Sequence, residues 1–447
     1  MTTRLLRTPR WSLAVFCGLL GASLLVGLSG RMDAARPHTQ ANVTHLWTGE
    51  EAAESSSREA AIAARGVHLS RVGVERWHQA GIRGKGVKVA VLDSGFRGWR
   101  DHLGKSLPEK VTVKSFRLDG DLEARDSQHG ILCGEVVHAL APDAELLFAN
   151  WEADTPERFL DAVRWAREQG AQVITCSVIM PSWGDGEGGG PIHAELARIL
   201  GNDKAKDLLC FASAGNTAKR TWSGSFKAGR DGLHEWKKGV TANPLTPWGD
   251  ERVSIDLCWK AEADFEVQVV DAGTQEIVAT SPQNAEARHS TQARFDPVAN
   301  HLYRVRLRQV RGEPCAFHCV ALASGLEFST STGSIAFPAD GPEVIAVGAV
   351  DAAGLRMTYS SCGPNSSRPK PDLVATVPFP SLWREKPFSG TSAASPQAAA
   401  LAALWRSRHP DWSAAKVREA MCKTARDLGA PGHDVETGYG LIQLPAE

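Results

Sequence analysis

The sequence predicts an α/β fold, with a mainly parallel sheet flanked by helices and an inserted antiparallel β-sandwich-like module. Two observations lead to this prediction. Short apolar runs alternate with helical patterns up to residue 221 and again after residue 332, which is typical of a parallel sheet with crossover helices. Between these parts, residues 222–331 alternate apolar and polar positions, and turns rich in Gly, Pro, Asn and Asp separate the segments.

Four short apolar runs in the first part predict buried parallel strands, because a strand covered on both faces loses its polar alternation. The runs lie at residues 87–92, 146–149, 173–177 and 208–213. Helical patterns lie between them, at residues 131–140, 156–169 and 192–200. The same rhythm returns with an apolar run at residues 344–350, an Ala-rich helix that begins near Ser392, and a final helix over residues 413–428.

The inserted module is predicted from period-two alternation at residues 253–259, 265–270 and 303–307. No strong helical pattern interrupts these segments. We therefore expect residues 71–221 and 332–447 to form one α/β domain, with residues 222–331 as a β-rich insert.

Residues 1–30 are expected to be a secretory signal peptide. Three arginines precede an apolar, charge-free stretch at residues 11–30, and a polar segment follows. Because this stretch is barely long enough to span a bilayer, an uncleaved signal-anchor is the alternative. Residues 31–70 are expected to be a linker, a short pro-segment or a solvated helix. We expect a secreted protein, extracellular or periplasmic, or one tethered to the membrane by that anchor.

The charge balance excludes one class of partner. The 447 residues carry a net charge of -1, without a basic stripe, which gives no electrostatic reason to bind nucleic acid. We expect no nucleic-acid partner, membrane contact only through an uncleaved N-terminal signal, and a monomer.

Eight of the nine cysteines lie beyond the expected signal peptide. An exported protein can form disulfides, and Cys258 with Cys315 or Cys319 is the pairing that we expect if any forms. Zinc is not expected, because Cys315-x-x-x-Cys319 has no second pair of ligands at a matching spacing. Three cysteines lie in apolar runs and are predicted to be small buried hydrophobic residues: Cys133, Cys176 and Cys210.

Four polar residues lie where an α/β sheet places functional groups, beyond the carboxyl ends of strands or at helix starts. Asp93 and Asn216 each follow a predicted strand closely. His129 opens a predicted helix, and Ser392 lies in a Gly-Thr-Ser turn at the start of the Ala-rich helix. Each residue alone is as well explained as a turn residue, a helix cap or a structural histidine.

Together these four residues supply every part of an acyl-transfer centre. Ser392 would attack a carbonyl, and the positive end of its helix would favour the negative charge that forms. His129 would take the serine proton and later give it to the leaving amine, while Asp93 would orient and stabilise the imidazolium. Asn216 would donate its side-chain amide to the oxyanion, with the backbone N–H of Ser392 as second donor. The chain order Asp, His, Ser is one of three known for this geometry.

The chain resembles the subtilisin-like serine proteases, the subtilases. Four motifs in the family's order carry the resemblance: Val-Ala-Val-Leu-Asp93-Ser-Gly, His129-Gly, Ala-Ser-Ala-Gly-Asn216 and Ser-Gly-Thr-Ser392-x-Ala-x-Pro. The resemblance covers residues 70–220 and 333–445. It implies a serine endopeptidase that hydrolyses protein or peptide substrates through an acyl-enzyme on Ser392 and needs no cofactor for catalysis.

The resemblance also implies a primary substrate pocket. Ser177, Val178 and Ile179 are expected along one wall, and Ala214 and Gly215 along the other. Subtilases often bind structural calcium, but we cannot assign calcium ligands from this sequence.

The sequence departs from the family pattern at two places, and both departures alter helix packing beneath the site. Ile follows the His-Gly pair where the family has Thr, and Gln-Ala-Ala-Ala follows the motif's Pro where the family has His-Val-Ala-Gly.

Two other functions are compatible with parts of the sequence. The sedolisins share the Gly-Thr-Ser motif but use a Glu/Asp pair and an acidic oxyanion residue, which His129 and Asn216 disfavour. A non-catalytic binding protein would use the β-rich insert as its functional part, but all four catalytic positions are filled. We therefore expect an exported serine endopeptidase.

Overall fold

The computed structural model describes residues 49–124, 127–152, 154–201, 207–282, 289–365 and 368–446, with side chains from residue 59 onward. The expected signal peptide at residues 1–30 lies outside the described residues. Within the described part of the chain, no helix is both long and apolar enough to span a bilayer.

The described residues form sixteen strands and seven α-helices. The strands are β1 (Lys88–Leu92), β2 (Val111–Ser115), β3 (Glu145–Asn150), β4 (Val173–Cys176), β5 (Leu209–Ser213), β6 (Thr221–Ser225), β7 (Asn243–Pro247), β8 (Val253–Trp259), β9 (Asp264–Asp271), β10 (Ile277–Thr280), β11 (Ser290–Phe295), β12 (Tyr303–Arg311), β13 (Ala316–Leu322), β14 (Ser324–Leu326), β15 (Ile345–Val350) and β16 (Leu373–Thr376). The helices are α1 (Gly49–Arg71), α2 (Val74–Gln79), α3 (His129–Leu140), α4 (Pro156–Glu168), α5 (Pro191–Gly201), α6 (Thr391–Arg408) and α7 (Ala414–Thr424).

Seven strands form one parallel sheet in the order β16-β15-β5-β4-β1-β3-β2. The central strand β1 pairs with β3 and β4, so that Leu92 lies between Ala149 and Cys176. The predicted parallel α/β fold is confirmed. Because parallel strands end at the same edge of a sheet, the residues that follow β1 and β5 lie at one edge.

Helices cover both faces of this sheet. Alternate residues of β1 contribute to two apolar clusters, with Val89 and Val91 in one and Ala90 and Leu92 in the other. The first cluster also holds buried residues of α3, α6 and α7, and the second holds those of α4 and α5. Burial on both faces explains why the strands appear in the sequence as continuous apolar runs.

Helix α1 covers most of the segment that was expected to be a linker, a pro-segment or a solvated helix. One face of its last turns is buried, with Arg65 and His68 on it, whereas Val67 and Arg71 are exposed. Arg65 donates to Glu135 of α3 at 2.6 Å, and His68 hydrogen-bonds Gln397 of α6 at 2.8 Å. The carboxyl end of α1 is thus fixed to α3 and α6, the two helices that contain His129 and Ser392.

The antiparallel strands lie between residues 221 and 326 and form two packed sheets. One sheet has the order β10-β9-β12-β7-β14, and the other has the order β11-β8-β13-β6. The apolar face of each contributes to one cluster, which includes Ile255 and Leu257 of β8 and Val267 and Val269 of β9. This arrangement is the inserted antiparallel module that the alternation predicts.

The cysteines of the described residues are free thiols. The expected bridge from Cys258 to Cys315 or Cys319 is therefore not formed. In the register of β8 and β13, Cys258 lies opposite His318, whereas Cys319 lies opposite Leu257. Since successive side chains of a strand point to opposite faces, Cys258 and Cys319 lie on opposite faces of the sheet.

Candidate active site

Asp93 lies directly after β1, at the carboxyl edge of the parallel sheet. Its side chain is fully buried. Oδ1 accepts from the backbone N–H of Ser94 at 2.7 Å and from the Ser94 hydroxyl at 3.2 Å. These donors satisfy a carboxylate that is removed from water, and they fix its orientation.

His129 is the first residue of α3, and its ring lies against this carboxylate. Nδ1 is 2.8 Å from both Oδ1 and Oδ2 of Asp93. A carboxylate can only accept, so Nδ1 carries the proton, and in the neutral ring Nε2 is the basic nitrogen. The next residue must be glycine, because a Cβ on Gly130 would lie 2.3 Å from the Phe96 ring.

Ser392 is the second residue of α6 and is 3% exposed. Gly390 precedes the helix with φ of 86°, a conformation that favours glycine. The hydroxyl of Ser392 lies 3.5 Å from the carbonyl oxygen of Ser177. The backbone N–H of Ser392 belongs to the first turn of α6, where N–H groups have no intrahelical acceptor.

Asn216 follows β5 and turns its side chain towards the start of α6. Its Oδ1 accepts from both the backbone N–H and the hydroxyl of Thr391, each at 3.0 Å. Because the oxygen is held in this way, the NH₂ group is the part of the side chain that can donate to another molecule. A Cβ on Gly390 would lie 3.0 Å from Nδ2, so a larger residue there would crowd the amide.

One cavity brings the predicted groups together. It has a volume of about 100 Å³, and His129, Asn216 and Ser392 all line it. Asp93 does not line the cavity and lies behind His129. The structure therefore places the four polar residues around one space, with three of them open to it.

Three of the five residues expected along the walls of the substrate pocket line this cavity. Ser177, Ile179 and Gly215 line the cavity. Val178 and Ala214 do not, because their side chains are buried in the apolar cluster on the α4 and α5 face of the sheet. In each wall the residues alternate between the cavity and the core.

The inserted module also lines the cavity, which sequence reasoning missed. The charged residues that it contributes are Arg252, Asp256 and Arg294, and Arg220 lies just before β6. One signal was present in the sequence, since polar residues alternate with apolar ones in the segment at residues 253–259. The alternation reveals a polar face but does not reveal what that face contacts.

A model of the subtilase family matches residues 84–237 and 311–440, which together are more than half of the chain. The chain belongs to the subtilase family. The stretch of this subtilase between the two matched segments, residues 238–310, lies within the inserted module.

Individual relatives of this subtilase match over shorter stretches. It is 38% identical over 130 residues to subtilisin of Bacillus pumilus, which covers 28% of this chain and 45% of that protein. Subtilisin E of Bacillus subtilis strain 168 is also 38% identical over 130 residues, which covers 28% of this chain and 32% of that protein. The alignments thus span less than half the length of these curated relatives.

One solved structure shares the fold across most of the subtilase. The CspB protease of Clostridium perfringens superposes with a TM-score of 0.61 at 14% identity, covering 84% of this chain and 97% of that chain. At this identity the likeness establishes the fold alone.

Cys133 lies one helical turn after His129, beneath the histidine and the aspartate. Its Sγ is 3.5 Å from Oδ2 of Asp93 and 3.7 Å from the carbonyl oxygen of Ser392. Among the described residues, only Asp93, His129 and Cys133 offer three potential metal-ligand atoms close together, within 4.8 Å of one another. Burial raises the pKa of the Cys133 thiol to about 11, so the thiolate that a metal would need is disfavoured at neutral pH.

Proposed function

We propose that this subtilase is a serine endopeptidase that forms an acyl-enzyme on Ser392. One observation carries the proposal: Nδ1 of His129 is hydrogen-bonded to the Asp93 carboxylate, and His129 lines one cavity together with Ser392 and Asn216. A buried acid, an oriented base, a serine at a helix start and an amide donor are the parts that acyl transfer needs.

In the first half of the reaction, Ser392 Oγ bonds to the carbonyl carbon of the substrate while its proton passes to Nε2 of His129. The positive charge on the imidazolium is stabilised by Asp93, whose carboxylate is buried and already paired with Nδ1. The carbon–nitrogen bond then breaks as His129 gives the proton to the departing amine. The product of this half is an ester between Ser392 and the acyl part of the substrate.

In the second half, water replaces the amine. His129 takes a proton from the water molecule while the water oxygen bonds to the carbonyl carbon of the ester. The ester bond breaks, and the proton returns to Ser392 Oγ, so that the free carboxylic acid leaves and the enzyme is restored. No cofactor is required for any of these proton transfers, and we propose that catalysis needs none.

Both halves pass through a tetrahedral oxyanion, for which we assign two donors. The amide of Asn216 is one, since Thr391 holds its oxygen and thereby directs its NH₂ group. The backbone N–H of Ser392, at the positive end of α6, is the other. The same Asn216 disfavours a sedolisin-type mechanism, which would place a carboxyl group at this position.

The test is cleavage of an unfolded protein substrate. Wild-type enzyme is expected to cleave casein, and the Ser392→Ala variant is expected to leave it intact. Exposed Ser225→Ala serves as the matched control and should cleave as the wild type does. Cleavage by Ser392→Ala at the wild-type rate would refute the assignment of the nucleophile.

We also propose that the protein is exported, as a monomer, with protein or peptide substrates. The arginine-led apolar segment at residues 1–30 supports export. Fractionation with N-terminal sequencing tests this. A mature protein that begins after residue 30 and is found outside the cytoplasmic membrane supports a cleaved signal, and a membrane-bound protein that retains residues 1–30 supports the signal-anchor.

A further inference from the structure

The inserted module turns one polar sheet face towards the cavity beside Ser392. In β8, Ser254 and Asp256 line the cavity, whereas Ile255 and Leu257 are buried in the module's own core. The neighbouring strand β11 places Arg294 opposite Ser254. Because strand side chains alternate between faces, these polar residues share the face that the catalytic domain covers.

Further contacts hold this face against the catalytic domain. The hydroxyl of Ser290 in β11 donates to the carbonyl of Ser182 at 2.6 Å. His318 in β13 hydrogen-bonds Glu187 at 2.9 Å through Nε2. These contacts join the sheet to the loop that follows the predicted pocket wall at Ser177, so the sheet forms part of the cavity wall.

The charge along the cavity is unbalanced. Among the residues that the structure describes, the charged side chains that line it, apart from His129, are Arg220, Arg252, Arg294 and Asp256. Three cations and one carboxylate give this space a positive field, which a low-dielectric surrounding strengthens.

The single carboxylate is already engaged. Asp256 is 3% exposed, and the hydroxyl of Ser254 donates to its Oδ1. Burial raises the pKa of this carboxyl group, while the positive charge of Arg294 acts in the opposite direction. Because Asp256 is buried and its Oδ1 already accepts from Ser254, little of this carboxyl group is exposed to an incoming cation.

Two of the arginines form ion pairs with exposed carboxylates. Arg294 pairs with Asp154 at 2.8 Å, and Arg252 pairs with Asp296 at 3.2 Å. The partner side chains are 55% and 74% exposed, so these pairs contribute little energy and can be exchanged for a better-placed anion. Arg220 is different, since it donates to the backbone carbonyl of Asn216 and stacks on Trp248.

The acidic loop at residues 184–190 does not offset these cations. Oδ1 of Asp185 accepts from the backbone N–H groups of Glu187 and Gly189, and Glu187 pairs with His318. Neither carboxylate lines the cavity. Asp185 stabilises the loop itself, and Glu187 joins the loop to the insert. These carboxylates therefore do not make the cavity favour basic substrates.

We propose that the insert completes the primary substrate pocket, and that Arg252 and Arg294 make it select an acidic side chain, Glu or Asp, immediately before the scissile bond. This inference rests on the proposed endopeptidase function. The cavity volume of about 100 Å³ suits one side chain, being well below the roughly 300 Å³ at which small-molecule sites begin. Each guanidinium group can also bind a carboxylate through two parallel hydrogen bonds.

The test uses fluorogenic peptides that differ only in the residue before the scissile bond: Glu, Gln, Lys or Leu. Wild-type kcat/KM is expected to be at least about tenfold higher for Glu than for Gln, since a charge-assisted hydrogen bond is worth that much. The double variant Arg252→Gln/Arg294→Gln should lose this preference, and Arg308→Gln, on the exposed face of β12, should keep it. Wild-type preference for Lys or Leu over Glu would overturn the proposal.

A charge-reversal variant guards against simple loss of folding. Arg294→Glu is expected to raise kcat/KM for the Lys peptide relative to the Glu peptide by at least about tenfold, a gain that misfolding cannot produce. An unchanged Lys-to-Glu ratio would contradict the pocket assignment. Labelling with a fluorophosphonate separates the two proposals. A wild-type protein that labels but lacks the Glu preference refutes the pocket alone, and one that neither labels nor cleaves refutes the endopeptidase.

Discussion

The guanidinium of Arg220 donates two hydrogen bonds to the backbone carbonyl of Asn216, from Nε at 3.1 Å and from Nη2 at 2.8 Å. Arg220 is stacked in turn on Trp248, with its guanidinium carbon 4.5 Å from the ring centre. Asn216, the residue proposed to stabilise the oxyanion, is therefore held through its backbone by Arg220, which directly precedes the first strand of the insert. Its position depends on the insert as well as on the parallel sheet.

Replacing Arg220 should loosen Asn216 and slow the chemical step. We expect Arg220→Ala to lower kcat by about tenfold to a hundredfold, because small displacements of a transition-state donor are costly. The measurement is kcat on a peptide substrate together with the rate of labelling by a fluorophosphonate. Arg230→Ala, at an exposed position, should change neither quantity. An Arg220→Ala enzyme with wild-type kcat would exclude the positioning role.

Asp93→Asn tests the role of the buried carboxylate. The amide can donate to Nδ1 and so favours the tautomer whose Nε2 carries the proton and cannot accept one from Ser392. We expect kcat to fall by about 10⁴-fold with little change in KM, as this substitution does in the same geometry elsewhere. A loss below about tenfold would show that Asp93 does not set the state of His129.

The pair of Arg65 and Glu135 is predicted to stabilise the docking of α1. Both side chains are buried, and Glu135 also accepts from the Ser381 hydroxyl and the Leu382 N–H. Arg65→Ala would leave this carboxylate buried without its cation, at a cost of about 3–5 kcal/mol in the free energy of unfolding. Urea unfolding measures the loss. Exposed Arg71→Ala is the control, and equal stability of the two variants would contradict the prediction.

His234 predicts a pH dependence of stability in the insert. Burial lowers its pKa to about 4, with a smaller contribution from Lys227. Nδ1 of His234 accepts from the backbone N–H of Lys227 at 3.1 Å, so the folded state requires the neutral ring.

The sign follows from proton binding. The unfolded histidine titrates near pH 6.5 and binds protons more tightly than the folded one. The contribution of His234 is therefore complete above about pH 6.5 and is lost as the pH falls towards 4. Unfolding free energies between pH 7 and pH 4 should fall less steeply for His234→Asn, which keeps an acceptor but does not titrate. Identical slopes would refute the prediction.

The sequence predicts the fold well because the strands of the central sheet are buried on both faces. The run at residues 208–213, for example, appears as β5 (Leu209–Ser213), and the expected helix at residues 192–200 appears as α5 (Pro191–Gly201). Alternation likewise predicts β8 at residues 253–259. Each of these signals is local, and each arises from burial that repeats along a short segment.

The missed features depend on contacts between distant segments. Nothing near Arg294 shows that β11 pairs with β8 or that their shared polar face closes the cavity beside Ser392. In the same way, His68 and Gln397 are 329 positions apart, so their contact cannot be seen in either local pattern. The side chain of Val178 lies in the apolar core, whereas its neighbours Ser177 and Ile179 line the cavity, and this depends on how the segment after β4 packs.

The most direct test of the account is to map the residue that a fluorophosphonate modifies. Intact-mass measurement followed by peptide mapping should find one adduct per wild-type molecule, on Ser392. The adduct should be absent from Ser392→Ala and should form far more slowly on His129→Ala. A wild-type protein without an adduct, or with its adduct on another serine, would contradict the assignment of Ser392 as the nucleophile.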